Sequence, residues 1–333
     1  MATIKRKHSV GYYLIRVFFG IIFGIVGIFF LWFASWNCLK YWAHADYYAV
    51  KESLGTNPGL NDGYIPQGVS YLPEEDTYLT SGYMSDKSAS RIYSLDSEEK
   101  VRYTELYVDG KPSTMHAGGM TVVGEKVLVA SGDKIHLFSL SDVLNEEKSE
   151  QIAEYAVNNA ASFCFAKGDY LFVGEFHDGG KYVTDHPYQT SDEETHYAIV
   201  SQYRLDEMGE DWRPVAMYSV TNRVQGFCVT DTGRIVMSTS YGISTSHYLV
   251  YDISLNPIED VDRMFLAADV LDQGIPVIYL DKDNLVEDLR GPAMAEDLDY
   301  HDGKVITVME SASNKYLFGK LFFYNDIVGL RIE

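Results

Sequence analysis

The most continuous hydrophobic run of the chain covers residues 17–36, where the sequence VFFGIIFGIVGIFFLWFASW contains no charged side chain. As a helix, this run would be about 30 Å long, which matches the hydrocarbon core of a bilayer. The basic residues of this region all precede the run: Lys5, Arg6, Lys7 and Arg16. The pattern therefore predicts a single-pass protein of the cell membrane, with a cytoplasmic basic tail over 1–16, one transmembrane helix over 17–36 and an extracytoplasmic C-terminal part.

A cleaved signal peptide is the alternative interpretation of this N-terminal segment. Ala43-His44-Ala45 has the small-x-small form that a signal peptidase accepts. The apolar run is longer than the usual hydrophobic region of a signal peptide, however, and it ends well before this motif. We therefore expect an uncleaved signal anchor, followed by a polar linker over residues 37–63.

Beyond the linker, the hydrophobic pattern changes to short runs that alternate with polar positions, which is typical of β-strands. One pattern recurs, in which a small or polar pair is followed by an apolar residue, a small polar residue and a second apolar residue. It occurs at 67–71 (QGVSY), 118–122 (GGMTV), 161–165 (ASFCF), 225–229 (QGFCV) and 296–300 (EDLDY). Short strands that recur about every 40 to 70 residues indicate a propeller, because neighbouring blades must stack to bury their faces.

The remaining strands of each blade are predicted from the segments that follow. Each of the five repeated segments is followed by a turn and a second apolar run, which predicts the second strand. The third strand is expected to open with a short polar residue and a basic one. These pairs are Ser90-Arg91, Asp133-Lys134, Thr195-His196, Ser246-His247 and Asn314-Lys315. Fourth strands fit VRYTELYV, QIAEYAV, RPVAMYSV and PVIYL. The sequence thus predicts an all-β fold after the anchor, a single propeller of five four-stranded blades over 64–333, with six blades as the alternative.

The repeat resembles those of the β-propeller superfamily, and of exported bacterial propellers with five blades in particular. The resemblance covers roughly residues 64–333. It implies a closed ring of blades and carries no specific activity with it, since the sequence lacks the marks of WD40 and kelch repeats.

Charge narrows the choice of partners. The formal net charge is −21, and the part beyond the anchor is more acidic still, because four of the basic residues precede the anchor. Such a field repels nucleic acid, which we exclude as a partner, and tolerates cations such as Ca²⁺. The membrane is the predicted partner of the N-terminal helix.

A candidate site follows from the propeller topology. The start of each first strand, the end of each second strand and the tip of each third strand lie on one face, so their polar side chains are expected to converge on one mouth. Ten candidate ligand-binding residues result: Gln67, Arg91, His116, Ser162, Glu175, Gln225, His247, Glu296, Glu310 and Lys315.

Two insertions interrupt the repeat. Residues 176–195 separate the second and third strands of the third blade and are expected to overhang the mouth as a lid. His177, Asp178, Asp185 and His186 are metal-capable types in this lid, but their spacing matches no ligand motif. Residues 253–274 are predicted to form a short amphipathic helix.

Three classes of function stay open. The first is a module that binds a small polar molecule, a glycan or a peptide in the mouth, because no nucleophile, nucleotide or zinc motif is present. The second is a hydrolase with catalytic candidates Glu175, Glu296, Glu310 and His116. It would be either a glycosidase or a calcium-dependent lactonase or esterase. The third is a structural platform of the cell envelope.

Overall fold

The N-terminal unit is one long helix. A computed structural model of the chain describes residues 9–255, 274–316, 319 and 324–332. Helix α1 covers Val10–Ala43, and the side chain of Ser9 caps its N-terminus by accepting a hydrogen bond from the Tyr12 amide. It is apolar and long enough to cross a membrane once. The helix extends beyond the predicted 17–36 on both sides because no proline or other strong helix breaker interrupts the flanking residues.

The second unit, Asp46–Glu333, is a five-bladed β-propeller. Its first elements lie within the predicted linker: helix α2 (Ala45–Val50) and strand β1 (Lys51–Thr56). β1 pairs with the third strand of the last blade, so residues 37–63 hold the end of α1, α2 and a strand of the fold. The polar composition of β1 suits an edge strand, which has only one neighbouring strand.

Blades one and two follow directly in the chain. Blade one has, from the axis outward, β2 (Tyr64–Leu72), β3 (Thr77–Met84), β4 (Arg91–Asp96) and β5 (Val101–Val108). Its outer edge gains the short strands β6 (Lys111–Pro112) and β10 (Lys148–Glu150). Blade two has β7 (Gly119–Val123), β8 (Lys126–Ser131), β9 (Lys134–Ser139) and β11 (Ala153–Ala156), with helix α3 (Leu140–Asn145) before β10.

Blades three to five complete the ring. Blade three has β12 (Phe163–Lys167), β13 (Tyr170–Gly174), β16 (Ala198–Arg204) and β17 (Pro214–Val220), and its lid carries the hairpin β14 (Tyr188–Gln189) and β15 (Thr195–His196). Blade four has β18 (Val224–Val229), β19 (Ile235–Thr239), β20 (Ser246–Tyr251) and β22 (Leu285–Gly291). Blade five has β23 (Ala295–His301), β24 (Lys304–Met309), β25 (Asp326–Leu330) and β1.

The predicted first strands are confirmed in every blade, whereas several outer strands differ. Thr195-His196 forms β15 in the lid, and Asn314-Lys315 lies beyond a 3₁₀ turn, so neither pair opens a third strand. The segment PVIYL, predicted as the fourth strand of blade four, contains β21 (Val277–Tyr279), which pairs in parallel with β17 of blade three. Short apolar runs do not encode their partner, which explains these errors. Of the helix predicted over 253–274, residues 256–273 lie outside the described residues.

Small residues let the innermost strands approach one another. A Cβ added to Gly119 would lie 2.5 Å from the Cα of Phe163 in the next blade, and one added to Gly226 would lie 2.6 Å from the backbone nitrogen of Leu298. Side chains are therefore excluded where neighbouring blades meet at the axis. Cys164 and Cys228 lie in this buried layer as free thiols, and burial raises the pKa of both.

Candidate ligand-binding site

A cavity of about 300 Å³ opens at the face of the propeller where the innermost strands begin. All five blades contribute to it. Seven of the ten predicted residues line it: Gln67, His116, Ser162, Gln225, Glu296, Glu310 and Lys315. The cavity, which we call the mouth, is therefore where the sequence pattern placed the candidate site. Ligand binding by these residues stays a prediction.

Three of the mouth residues lie at β-bulges. The register of β2 against β3 shifts at Gln67, that of β18 against β19 at Gln225, and that of β23 against β24 at Glu296 and Asp297. A bulged residue has no partner in the ladder, and the local kink redirects its side chain. The bulges thus turn these long polar side chains from the strand edge toward the mouth.

The backbone that leads into the innermost strands is strained in three blades. Ala117, Arg223 and Met294 have positive φ angles of 51°, 67° and 61°. Each lies one to two residues before the repeated pattern of its blade, and such a conformation costs a non-glycine residue on the order of 1 kcal/mol or more. Surrounding packing must hold these residues in place, which is common where side chains are positioned for a ligand.

Glu310 is the centre of a hydrogen-bonded group on one wall. Its Oε1 accepts hydrogen bonds from the hydroxyl of Tyr316 at 2.7 Å and from that of Tyr83 at 3.0 Å. The Nζ of Lys315 donates to the Tyr83 oxygen at 2.7 Å. Burial raises the pKa of Glu310, while the two hydroxyl donors and Lys315 oppose this rise. The group holds one carboxylate in a fixed orientation at the mouth.

Glu296 is the more deeply buried carboxyl, with 2% of its surface exposed. The amide nitrogen of Gln225 lies 3.5 Å from its Oε1. Burial raises the pKa of Glu296 well above its usual range, and the charges of Glu310 and Asp297 raise it further. These effects favour the neutral form of the side chain, which can both donate and accept a hydrogen bond.

His116 borders the same wall. Its ring lies beside that of Tyr83, with centroids 4.8 Å apart. The walls of the mouth withdraw the imidazole from bulk water and lower its pKa, and the charges of Lys315 and Lys181 lower it further. The imidazole is consequently neutral at pH 7, with one donor and one acceptor nitrogen.

The lid covers part of the mouth, as its position in the chain predicted. Phe176, Asp178, Lys181 and Tyr182 all line the cavity. The Oδ1 of Asp178 accepts hydrogen bonds from the amides of Gly180 at 2.8 Å and Tyr182 at 2.9 Å, which closes a compact turn. Tyr182 is presented to the mouth by this turn.

Three predicted residues lie elsewhere in the propeller. Glu175 is buried beneath the lid, where it accepts hydrogen bonds from the Ile199 amide and contacts His186. Arg91 pairs with Glu105 at 3.3 Å, and His247 pairs with Asp288 at 2.7 Å. Arg91 and His247 do not line the mouth because their partners stand on the adjacent outer strand of the same blade.

Aromatic residues are what the sequence reasoning missed. Tyr83, Tyr182, Tyr241 and Tyr316 all line the mouth, and Lys181 does so as well. The predicted site contains only polar residues near the ends of the predicted strands. β3 continues to Met84, so the alternation along this strand could have identified Tyr83.

Metal-binding clusters are not found in the part of the chain that the structure describes. No group of three or more His, Cys, Asp or Glu side chains there could hold a metal ion. Asp178 and His177 of the lid instead make hydrogen bonds within it. Nothing in the described residues therefore identifies the calcium ligands that a calcium-dependent hydrolase would need.

Comparisons with known proteins return solved structures alone. No family model and no curated protein matches the chain. A hydrazine synthase from Kuenenia stuttgartiensis is 11% identical with a TM-score of 0.38, and the match covers 73% of this chain and 55% of the other, about half its length.

Two further structures have higher scores. A PQQ-bound aldose sugar dehydrogenase from Streptomyces coelicolor is 14% identical with a TM-score of 0.42, over 78% and 77% of the two chains. A protein from Thermus thermophilus described as an oxidoreductase (glucose dehydrogenase) is 10% identical with a TM-score of 0.44, over 84% and 99%. No activity follows from similarities at this level. The chain is a five-bladed β-propeller with an N-terminal helix able to span a membrane.

Proposed function

We propose that this protein is a membrane-anchored binding protein whose propeller lies outside the cytoplasm and binds a small, neutral, polyhydroxylated molecule in the mouth. The observation that carries the proposal is the convergence of polar side chains from all five blades on one cavity of about 300 Å³. This volume is at the lower end for ligand sites, which limits the occupant of the mouth to about one sugar ring.

The charge within the mouth supports a neutral ligand. The ionisable residues that line it are Asp178, Lys181, His116, Glu296, Glu310 and Lys315. Burial favours the neutral forms of Glu296 and His116, and the other four groups are two lysines and two carboxyls, Asp178 and Glu310. This balance contrasts with the net charge of −21 for the whole chain, and it removes the electrostatic reason to select an ion.

The hydrogen-bonding groups support hydroxyls as their partners. Gln67 and Gln225 each bring an amide, which has two donors and an acceptor oxygen, and neutral Glu296 and His116 also combine both roles. A hydroxyl both donates and accepts, so it satisfies such mixed groups better than an ammonium or a carboxylate does. Tyr182 and Tyr241 add half-exposed aromatic rings at the rim, against which the apolar face of a ring can pack.

Exposed apolar side chains occur at the mouth and on outer strands. In the described part of the propeller, Tyr182 and Tyr241 border the mouth, whereas Val101, Tyr103 and Val286 lie on the outer strands β5 and β22. Exposed apolar surface marks sites of interaction. These side chains therefore do not separate a binding protein from a structural platform.

Calorimetric titration of the full chain in detergent tests the proposal. Monosaccharides and linear polyols are the probes, and amino acids and dicarboxylates are the charged comparison set. We expect binding by at least one neutral probe and a loss of about tenfold or more for Gln225→Ala, which removes one amide from the cavity. His247→Gln is the control, because its partner Asp288 lies on the outer strand of blade four. Binding confined to charged probes, or equal affinity of the Gln225→Ala variant, would contradict the proposal.

A hydrolase that acts on such a ligand is the second candidate. Its specific support is that burial raises the pKa of Glu296 well above its usual range, and a protonated carboxyl at a ligand site can serve as a general acid. Release of 4-nitrophenol from 4-nitrophenyl glycosides by the full chain, abolished in Glu296→Gln, would support this candidate. If the probes bind but no 4-nitrophenol is released, the hydrolase is rejected and the binding protein is retained.

A further inference from the structure

A second cavity, which we call the side groove, continues from the mouth beneath the lid. It has a volume of about 420 Å³ and shares six lining residues with the mouth: His116, Gly118, Ser162, Phe176, Lys181 and Tyr182. The two cavities are therefore adjacent, on either side of the residues that they share.

The side groove exists because the repeat pattern lacks long side chains in two blades. The first position of the pattern is Gln67 in blade one, Gln225 in blade four and Glu296 in blade five. In blades two and three the same position is Gly118 and Ala161, both of which line the side groove. The mouth is thus closed by polar side chains on one side and open on the other.

Small residues make the floor of the groove, and the lid makes its roof. The floor consists of residues with short or no side chains: Ala130, Ser131, Gly132, Ala160 and Ala161. The roof includes Phe176, Tyr182 and Val183, the last of which is 68% exposed. A flat or slender group with apolar faces fits between these surfaces.

The roof is held in place by contacts of its own. The Nδ1 of His177 accepts a hydrogen bond from the Thr184 amide at 3.0 Å, and the Thr184 hydroxyl donates to the carbonyl oxygen of Tyr197 at 2.6 Å. The His177 ring stacks on that of Tyr197 with centroids 4.8 Å apart. The groove is therefore largely formed before any ligand arrives, which lowers the cost of binding.

We propose that the side groove is a second subsite and that the ligand is an oligosaccharide of at least two rings. This inference rests on the proposed function of the mouth. One ring occupies the mouth, the next lies in the groove between the small-residue floor and the lid, and Tyr182 contacts both because it lines both cavities. Sugar rings combine hydroxyl edges with apolar faces, which matches the polar mouth and the less polar groove.

Affinities for matched saccharides test the proposal with the full chain in detergent. The probes are glucose and cellobiose, mannose and mannobiose, galactose and galactobiose, and N-acetylglucosamine and chitobiose. For a sugar that binds, we expect the disaccharide to bind about tenfold more tightly than the monosaccharide. Ala160→Trp, which fills the groove from its floor, should remove this gain while the monosaccharide still binds, because Ala160 does not line the mouth. Ala156→Trp, at an exposed position at the end of β11, is the matched control and should retain the gain.

The outcomes separate the two proposals. A monosaccharide that binds as tightly as its disaccharide overturns the second subsite and leaves the mouth intact. A butyl glycoside that gains affinity where no disaccharide does shows that the groove takes an alkyl chain, which also overturns it. Absence of binding by every saccharide, with native unfolding behaviour, overturns both. Should Ala160→Trp not fold, Ser131→Phe on the same floor replaces it.

Discussion

Asp297 accepts a hydrogen bond from the backbone amide of Met120 at 2.9 Å, although the two residues belong to blades five and two. The same oxygen, Oδ2, lies 3.4 Å from the amide nitrogen of Val69 in blade one. The position of Asp297 in the repeat is taken by small residues in the other blades: Gly68, Gly119, Ser162 and Gly226. One carboxyl thus reaches across the space that small residues leave at the axis and joins three blades.

Removal of this carboxyl should destabilise the propeller. We expect Asp297→Ala to lower the free energy of unfolding by about 2–4 kcal/mol, because two buried amides lose their acceptor. Asp297→Asn should lose less, since its amide oxygen still accepts. Denaturant unfolding followed by tyrosine and tryptophan fluorescence measures both. Asp231→Ala, which breaks an exposed pair with Lys167, is the control and should cost at most about 1 kcal/mol. Equal losses for Asp297→Ala and the control would refute the bridging role.

Stability should fall as the pH rises above the ordinary range of carboxyl pKa values. Burial raises the pKa of Glu296 and of Asp297 in the folded state, so the folded protein holds these protons more tightly than the unfolded chain does. Their contribution is complete below the unfolded pKa near 4 and is lost as the pH rises toward the folded pKa. His116, whose folded pKa is lowered, acts oppositely and loses stability as the pH falls below its ordinary value of 6.5.

A comparison of variants isolates the carboxyl from the histidine. We expect Glu296→Gln, which cannot ionise, to gain melting temperature relative to the native protein as the pH rises from about 5 to about 8, because the carboxyl is ionised in the unfolded chain above its ordinary pKa whereas burial opposes ionisation in the folded protein. Differential scanning fluorimetry at fixed ionic strength provides the measurement. Glu74→Gln, at an exposed turn, should show a constant difference. A constant difference for Glu296→Gln as well would show that burial does not shift its pKa.

Closure of the ring should depend on β1. Glu52 of this strand pairs with Lys304 at 3.0 Å and Arg331 at 3.2 Å, and Ser53 donates a hydrogen bond to Asp326 at 2.6 Å. A chain that begins at Pro58 lacks the fourth strand of blade five and exposes the edge of β25. We expect its melting temperature to fall by about 10 °C or more relative to a chain that begins at Asp46. Equal melting temperatures of the two chains would show that β1 does not stabilise the propeller.

The contact between His186 and Glu175 should limit proteolysis of the lid at Lys181. The Nδ1 of His186 lies 3.0 Å from the Oε2 of Glu175, which also accepts a hydrogen bond from the Ile199 amide at 3.1 Å. We expect His186→Ala to accelerate tryptic cleavage after the exposed Lys181 several-fold, because local opening precedes proteolysis. Mass spectrometry identifies the cut. His247→Ala, which breaks a similar pair on blade four, should leave the rate unchanged, and equal acceleration by both variants would rule out a local effect.

The innermost strands were predictable because they carry the strongest constraint. Close approach of neighbouring blades excludes side chains at Gly68, Gly119 and Gly226, and this requirement recurs around the ring. The same constraint explains why the pattern recurs five times in the sequence, and this recurrence predicted the five blades. The apolar run over residues 17–36 was equally easy to recognise, because a helix that crosses a bilayer needs about 20 uncharged residues.

The outer strands β5, β11 and β17 were predicted, but β1 and β21 escaped prediction because their sequences do not encode a partner. Lys51–Thr56 is polar and lies far along the chain from Asp326–Leu330, yet the two segments pair to close the ring. The segment that contains Val277–Tyr279 looks like any fourth strand, but it adds to blade three rather than to blade four. Pairing of this kind depends on which edge the folded ring leaves open.

By itself, the sequence determined the membrane-spanning length, the propeller and the polar residues that begin its innermost strands, since each follows from local pattern and repetition. Only the tertiary structure decided how those residues meet. The bulges turn Gln67, Gln225 and Glu296 inward, while Glu175 points beneath the lid and Arg91 pairs on an outer strand. The direction of a side chain and the burial that shifts its pKa depend on neighbours brought together by folding, and no local pattern contains them.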